Sequence, residues 1–261
     1  QQFCGVPVVA PNTLCDFAYD NIIVTSIFVH QIQQQLITEL GVPEDRIFFS
    51  PKEVIDSKSG RPFSDPETLN LAREMLLFLS KILEGCGLRF FIDHGTLLGI
   101  VRDGDLLPWD DDVDISVMAE EAEKVIRCIR DHYEHLPRVD QVRWQVILGV
   151  EEERLGLEPR NLFLSLVPGD LNGIRQFNVD LSFIHIEGDR AIQMINDSPA
   201  EYFLSVDYID FCGKKVGAPK NYRDYLTFHY GDWRVPKQQI SFHDILNFAE
   251  PRAPTKRVRL L

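Results

Sequence analysis

The chemistry in this chain is most legible at Asp112 and Asp114. From Asp110 to Val117 the residues run Asp-Asp-Asp-Val-Asp-Ile-Ser-Val. Alternate side chains of a strand share a face, so Asp112, Asp114 and Ser116 point one way and Val113, Ile115 and Val117 the other. Two ionised carboxylates about 4 Å apart repel by roughly 1 kcal/mol in water and roughly 4 kcal/mol at an effective dielectric of 20. Protonating one relieves this, as in acid dyads. A divalent cation relieves it too, and Mg²⁺ is commonly held by one or two carboxylates together with substrate phosphates. A bare run of aspartates is ordinarily a solvated acidic surface. This one enters a strand with an apolar back, which favours metal chemistry.

Other residues extend the pattern. Phe90-Phe91-Ile92 reads as a strand ending at Asp93-His94-Gly95-Thr96, and Leu97, Leu98 and Val101 mark a short helix after it. Backbone N–H groups at such a helix start can hold phosphate oxygens. Asp180 is a lone acid in Phe177–Phe183, on the face opposite Val179, Leu181 and Phe183. A charge in such a run is costly unless paired or metal-bound. The plain alternative is a salt-bridged aspartate on an edge strand.

His94-Gly95-Thr96-Leu97-Leu98-Gly99-Ile100-Val101-Arg102, followed by Pro108-Trp109-Asp110-Asp111-Asp112-Val113-Asp114-Ile115, resembles the signature of the LicD/fukutin family of the nucleotidyltransferase superfamily. The resemblance runs from about Leu88 to about Pro236, where Tyr225-Leu226 and Tyr230-Gly231-Asp232-Trp233 are similar to the family's C-terminal element. It implies an α/β (α+β) fold, a nucleotidyltransferase-like mixed sheet with flanking helices. The implied activity is metal-dependent transfer of phosphocholine, ribitol phosphate or a similar group from a CDP-activated donor to the hydroxyl of a glycan or glycolipid. Mg²⁺ or Mn²⁺ would sit on Asp112 and Asp114, with Asp110 and Asp180 as further ligands. Asp180 would serve as ligand or as base for the acceptor hydroxyl, and Gly95, Thr96 and Arg102 would meet the donor phosphates. On packing grounds alone, Tyr225 and Trp233 read as core or lid residues.

Rival readings are an Asp-x-Asp glycosyltransferase, which would release a nucleoside diphosphate, and a nucleotidyltransferase releasing pyrophosphate. A calcium loop over Asp103–Asp114 fails, because Leu107 falls where a ligand is needed and Pro108 where glycine is needed.

Around this centre, residues 1–50 read as a partial Rossmann-like unit. Ile22-Ile23-Val24 and Arg46–Phe49 are strands about a helix over residues 28–40; no G-x-G-x-x-G is present, so no cofactor is assigned. Residues 51–66 read as a linker rich in Pro, Ser, Gly and charge. The main domain spans residues 67–250. It opens with a helix capped by Asp65-Pro66, with capping-box spacing from Ser64 to Glu67 and an end at Gly85. A helix is expected over Glu120–Tyr133 and strands over Trp144–Val150 and Leu162–Val167, with Glu151–Glu153 as a solvated turn. Val216–Leu226 reads as a turn and a helix with Pro in its first turn, and residues 251–261 as a frayed basic tail.

Composition bounds the function. Of 261 residues 44% are hydrophobic, enough for a real core, and the formal charge of −13 argues against nucleic acid as a partner. No apolar run approaches the roughly 20 residues of a membrane span, so any membrane association is expected to be peripheral. The chain starts at Gln1 without a signal-like segment, so its natural start is expected upstream. Five scattered cysteines (4, 15, 86, 128 and 212) without a Cys-x-x-Cys suit a reducing compartment, with neither a disulfide framework nor a zinc site. The expected setting is cytoplasmic, at the inner face of the membrane, or the Golgi lumen in a eukaryote.

Overall fold

The computed structural model describes residues 2–3, 6–7, 9–24, 29–49, 61–153, 156–167, 171–193, 196–236 and 255–260. The chain divides into two compact units, Gln1–Ser59 and Gly60–Leu261.

In the first unit β1 (Gln2–Phe3) and β2 (Val6–Pro7) form an antiparallel pair. β3 (Ile22–Val24), α1 (Val29–Thr38) and β4 (Ile47–Phe49) form a strand–helix–strand unit with the two strands parallel. Val24, Leu36, Val42 and Ile47 make its small core.

Residues 51–60 of the expected linker lie outside the described residues. Its last part is packed: Phe63 is buried in the second unit, its ring edge-on to Phe177 at 5.5 Å. α2 (Pro66–Gly85) follows. Its cap is Asp65, whose Oδ2 accepts from the Thr68 N–H at 2.9 Å. The capping box does not form, because Ser64 Oγ donates to the Arg61 carbonyl and Glu67 pairs with Arg138.

α2 leads into β5 (Phe90–Ile92), α3 (His94–Asp103) and β6 (Asp112–Met118). α4 (Ala122–Asp131) is shorter than expected, flanked by 3₁₀ turns at Ala119–Glu121 and Tyr133–His135. Three long strands come next: β7 (Trp144–Glu153), β8 (Gly156–Leu166) and β9 (Asn178–Glu187). The Glu151–Glu153 run is therefore strand and not turn, continuing the pairing with β8 past a register shift at Gly149/Val150.

The sequence reading passed over three strands, β10 (Arg190–Ile192), β11 (Asp197–Pro199) and β12 (Val206–Phe211). β13 (Lys214–Pro219) takes in the segment expected as a turn, so α5 (Tyr222–Tyr230) begins after Pro219 rather than around it. β14 (Thr255–Arg259) corrects the frayed tail: it pairs antiparallel with β7.

The main sheet is mixed. It runs β5–β6–β9–β8–β7–β14, with β6 parallel to β9, and β10 and β11 continue beside the far end of β9. One face of β6, β9 and β8 is apolar (Val113, Ile115, Val179, Leu181, Leu162, Leu164) and shares a core with Leu71, Met75 and Leu79 of α2 and Val125 and Ile129 of α4. The other face carries the acids. The expectation of cysteines without a disulfide is also corrected: Cys86, capping the end of α2, is bonded to Cys128 of α4. Their 42-residue separation carries no pairing signal; the packing of the two helices brings them together.

Candidate active site

Sheet register assembles the acids. Asp112 pairs with Asn178 and Asp114 with Asp180 across the parallel strands β6 and β9, so Asp180 stands beside Asp114 on one face. Neighbouring strands lie about 4.8 Å apart, within reach of a shared cation. Asp110 reaches the cluster from the loop before β6. Its carboxylate lies over the start of α3, where a Cβ on Gly95 would come within 2.1 Å of Asp110 Oδ2. A side chain at this position would have to push the Asp110 carboxylate aside. Carboxylate oxygens of Asp110, Asp111 and Asp112 lie within 4.8 Å of one another. Asp111, not among the sequence candidates, thus joins the rim of the cluster.

The electrostatics are those of crowded, buried acids. Burial raises the Asp110 carboxyl to about 7, with the charge of Asp111 adding to it. Burial and then Asp114, Asp110 and Asp180 push Asp112 well above the usual carboxylate range; burial, Asp110, Asp180 and Asp93 do the same to Asp114. Among the described residues no Lys or Arg forms an ion pair with Asp110, Asp112 or Asp114. A set of hard oxygen donors with surplus negative charge fits Mg²⁺ or Mn²⁺.

Asp93, between β5 and α3, was missed by the sequence reading and is built in the opposite sense. It is fully buried, and its carboxylate collects four donors. The His94 N–H and Tyr225 Oη donate to Oδ1 at 2.8 and 2.7 Å; Ser116 Oγ and Gln193 Nε2 donate to Oδ2 at 2.6 and 2.9 Å. Burial alone would raise this carboxyl, but His94 and the Ser116, Gln193 and Tyr225 donors outweigh it and hold the group below its ordinary value. Its signal in the sequence was a lone acid closing the apolar run Phe90–Ile92.

The remaining candidates take distinct places. Gly95 is in the first turn of α3. Thr96 is buried, and its Oγ1 accepts the Asp114 N–H at 2.8 Å, tying α3 to the acidic strand. Arg102, near the end of α3, grips Asp103 through two nitrogens (2.9 and 2.7 Å) and lies over the Trp109 ring at 5.6 Å. Tyr225 is a core residue with a second task, since its buried phenol is held protonated by burial and by the charge of Asp93, to which it donates. Tyr230 was also missed. Burial raises its phenol, and Asp114, Asp93, Asp110 and Asp112 add to the shift, so it stands against the acid cluster. The buried imidazole of His229 is lowered to about 4 by burial.

Comparison with known proteins agrees with this geometry. Residues 87–221 match the family model "LicD/FKTN/FKRP, nucleotidyltransferase domain". The chain is 37% identical over 191 residues to ribitol 5-phosphate transferase FKRP of Homo sapiens, covering 68% of this chain and 34% of that protein. It is likewise 37% identical over 184 residues to the Mus musculus protein of the same name, covering 65% and 33%. An uncharacterized protein of Rickettsia typhi is 23% identical over 159 residues, covering 59% and 43%. The chain thus spans about a third of the length of the FKRP relatives. Among solved structures, the lincosamide antibiotic adenylyltransferase LnuA is 15% identical with a TM-score of 0.35, covering 60% of this chain and 85% of that one. The antibiotic-resistance factor ANT(2'')-Ia is 14% identical, also at 0.35, covering 67% and 79%. Scores this low have no bearing on the fold.

Proposed function

The chain belongs to the LicD/FKTN/FKRP family, and from that premise we propose that it is a phosphotransferase, moving ribitol phosphate or a related substituted phosphate from a CDP-activated donor to a glycan hydroxyl. The single observation that carries this reading is the register that sets Asp114 beside Asp180, one pleat from Asp112, in a cluster that gathers negative charge with no basic ion-pair partner for Asp112 or Asp114 among the described residues.

Asp112, Asp114 and Asp180, with Asp110 beside them, would hold Mg²⁺ or Mn²⁺, which when bound neutralises charge developing on the donor diphosphate. Gly95, in the first turn of α3 where the helix dipole favours an anion, would meet a donor phosphate beside the Asp110 carboxylate that already lies over it. Thr96 positions Asp114 through its backbone N–H. Arg102, braced by Asp103 and Trp109, offers a charge-assisted contact to a phosphate. As the alternative to ligating the metal, Asp180 would take the proton of the attacking hydroxyl. Of the two expected settings, the Cys86–Cys128 disulfide supports the oxidising one, a Golgi-type lumen. No helix among the described residues is long and apolar enough to cross a membrane.

The test is product analysis with CDP-ribitol, CDP-glycerol, CDP-choline, UDP-sugars and GDP-sugars, each with and without Mg²⁺ and a glycan acceptor. CMP release that needs both metal and acceptor, and that falls at least about a thousandfold in Asp114→Asn, supports the reading. Release of UDP, GDP or pyrophosphate instead, or near-native turnover by Asp114→Asn, overturns it.

A further inference from the structure

Away from the acids, on the apolar side of the sheet, α2 and α4 bring two sulfurs and an imidazole together. Cys86 closes the end of α2, and Cys128 of α4 meets it. His132 follows Cys128 by four residues, the interval that sets two side chains on one helix face. Both sulfurs and one ring nitrogen of His132 lie within 4.8 Å of one another. Tetrahedral zinc, with Zn–S about 2.3 Å and Zn–N about 2.0 Å, holds its ligand atoms roughly 3.5–3.8 Å apart, so small side-chain rotations suffice.

The imidazole already has the tautomer that such a site needs. His132 Nδ1 lies 2.9 Å from the Cys128 carbonyl oxygen, which can only accept. The proton is therefore on Nδ1 and a lone pair on Nε2, the arrangement that orients histidine ligands in metal sites. Cys128 is buried, its Sγ 3.4 Å from the Ile82 carbonyl, whereas Cys86 is exposed and His132 half-buried. The trio thus has an anchored floor and an open mouth, through which a reductant or an ion can enter.

We propose that the Cys86–Cys128 disulfide is one state of a redox-gated zinc site, whose other state holds Zn²⁺ on both thiolates and on His132. The two states exclude each other, because a sulfur bonded to its partner is no longer a thiolate. In one direction a dithiol reductant supplies two electrons and two protons. The S–S bond breaks to two thiols, and the dithiol leaves as its own disulfide. Zn²⁺ then displaces both thiol protons to solvent and takes His132 as third ligand, with water in the fourth position. Soft thiolates with an imidazole select zinc, and clustered carboxylates select magnesium or manganese, so the two faces of the sheet take different ions. The proposal does not depend on the phosphotransfer reading.

Cobalt(II) is the probe, because thiolate ligands give it a strong near-ultraviolet charge-transfer band that carboxylate ligands do not. The full chain, reduced with a phosphine and kept free of oxygen, is expected to develop this band with one equivalent of cobalt and to lose it to added Zn²⁺. The oxidised protein should show no band. Cys86→Ser, at an exposed position that tolerates the change, should lose most of it. His132→Ala should still form the disulfide yet bind cobalt at least about tenfold more weakly. No band in the reduced wild type, an equal band in the oxidised protein, or an unchanged band in either variant would overturn the proposal.

Discussion

Asp93 and Asp114 are joined backbone to backbone, the N–H of the first donating to the carbonyl of the second at 3.2 Å, yet their carboxyls meet opposite surroundings. Asp93 receives donors from β6, α5, the loop after β10 and the start of its own helix, and it stays ionised although fully buried. Asp114 has Asp110, Asp180 and Asp93 as its electrostatic neighbours and is pushed towards the neutral form. Burial penalises both carboxylates equally in kind. What separates them is whether the fold supplies donors. Where it does, the acid is a structural anion that fixes the start of α3 against β6. Where it supplies more acids instead, no ion pair among the described residues brings positive charge to Asp112 or Asp114, and the proposed divalent ion takes that part.

That contrast can be broken most forcefully by making the same change on each side of it. Asp93→Asn turns an amide N–H₂ towards groups that already donate and leaves buried donors unmet, so it should cost roughly 3–5 kcal/mol of stability. Asp112→Asn removes like-charge repulsion and should leave the metal-free protein as stable as before or more so. Chemical denaturation of the two variants checks both signs, and a mild Asp93→Asn beside a severe Asp112→Asn would reverse the assignment.

A smaller effect sharpens it. Asp110 titrates at about 7 when folded against an ordinary value of 3.8, so between those limits the folded state binds a proton that the unfolded state does not. Stability of the metal-free protein is therefore greatest at the acid end of this window and declines as pH rises through about 7. A divalent ion takes the place of those protons, so the rise in Tm on adding Mg²⁺ should be several degrees larger near pH 8 than near pH 5.5. Differential scanning fluorimetry reads this directly. An equal or smaller rise at the higher pH would mean that the ion binds elsewhere.

The contrast was only half legible in the sequence. Alternation along Asp112–Val117 and Phe177–Phe183 put the acids on the correct faces, because a strand's two-residue period depends on nothing distant. The pairing of Asp114 with Asp180 was suggested by the family resemblance, since no local rule sets the register between strands 66 residues apart in number (180 − 114). Asp93 was passed over because its meaning lies in Ser116, Gln193 and Tyr225, three partners scattered over more than a hundred residues. The Ser64 capping box failed for a local reason: Asp65, one residue on, is the better acceptor for the Thr68 N–H. The basic tail reads as frayed in the sequence because its charges hide a strand that only the open edge of β7 creates. The disulfide likewise exists through the packing of α2 on α4, which no cysteine spacing announces.

The most direct test of the central claim is to locate the ion. Crystals grown with Mn²⁺, measured near the manganese absorption edge, should show an anomalous peak within direct coordination distance of carboxylate oxygens of both Asp112 and Asp114. The same peak should be absent from Asp114→Asn crystals, while Asp93 keeps its four donors and touches no ion. A saturating Mn²⁺ soak that leaves Asp112 and Asp114 without a peak, or that places the ion on Asp93, would contradict the account.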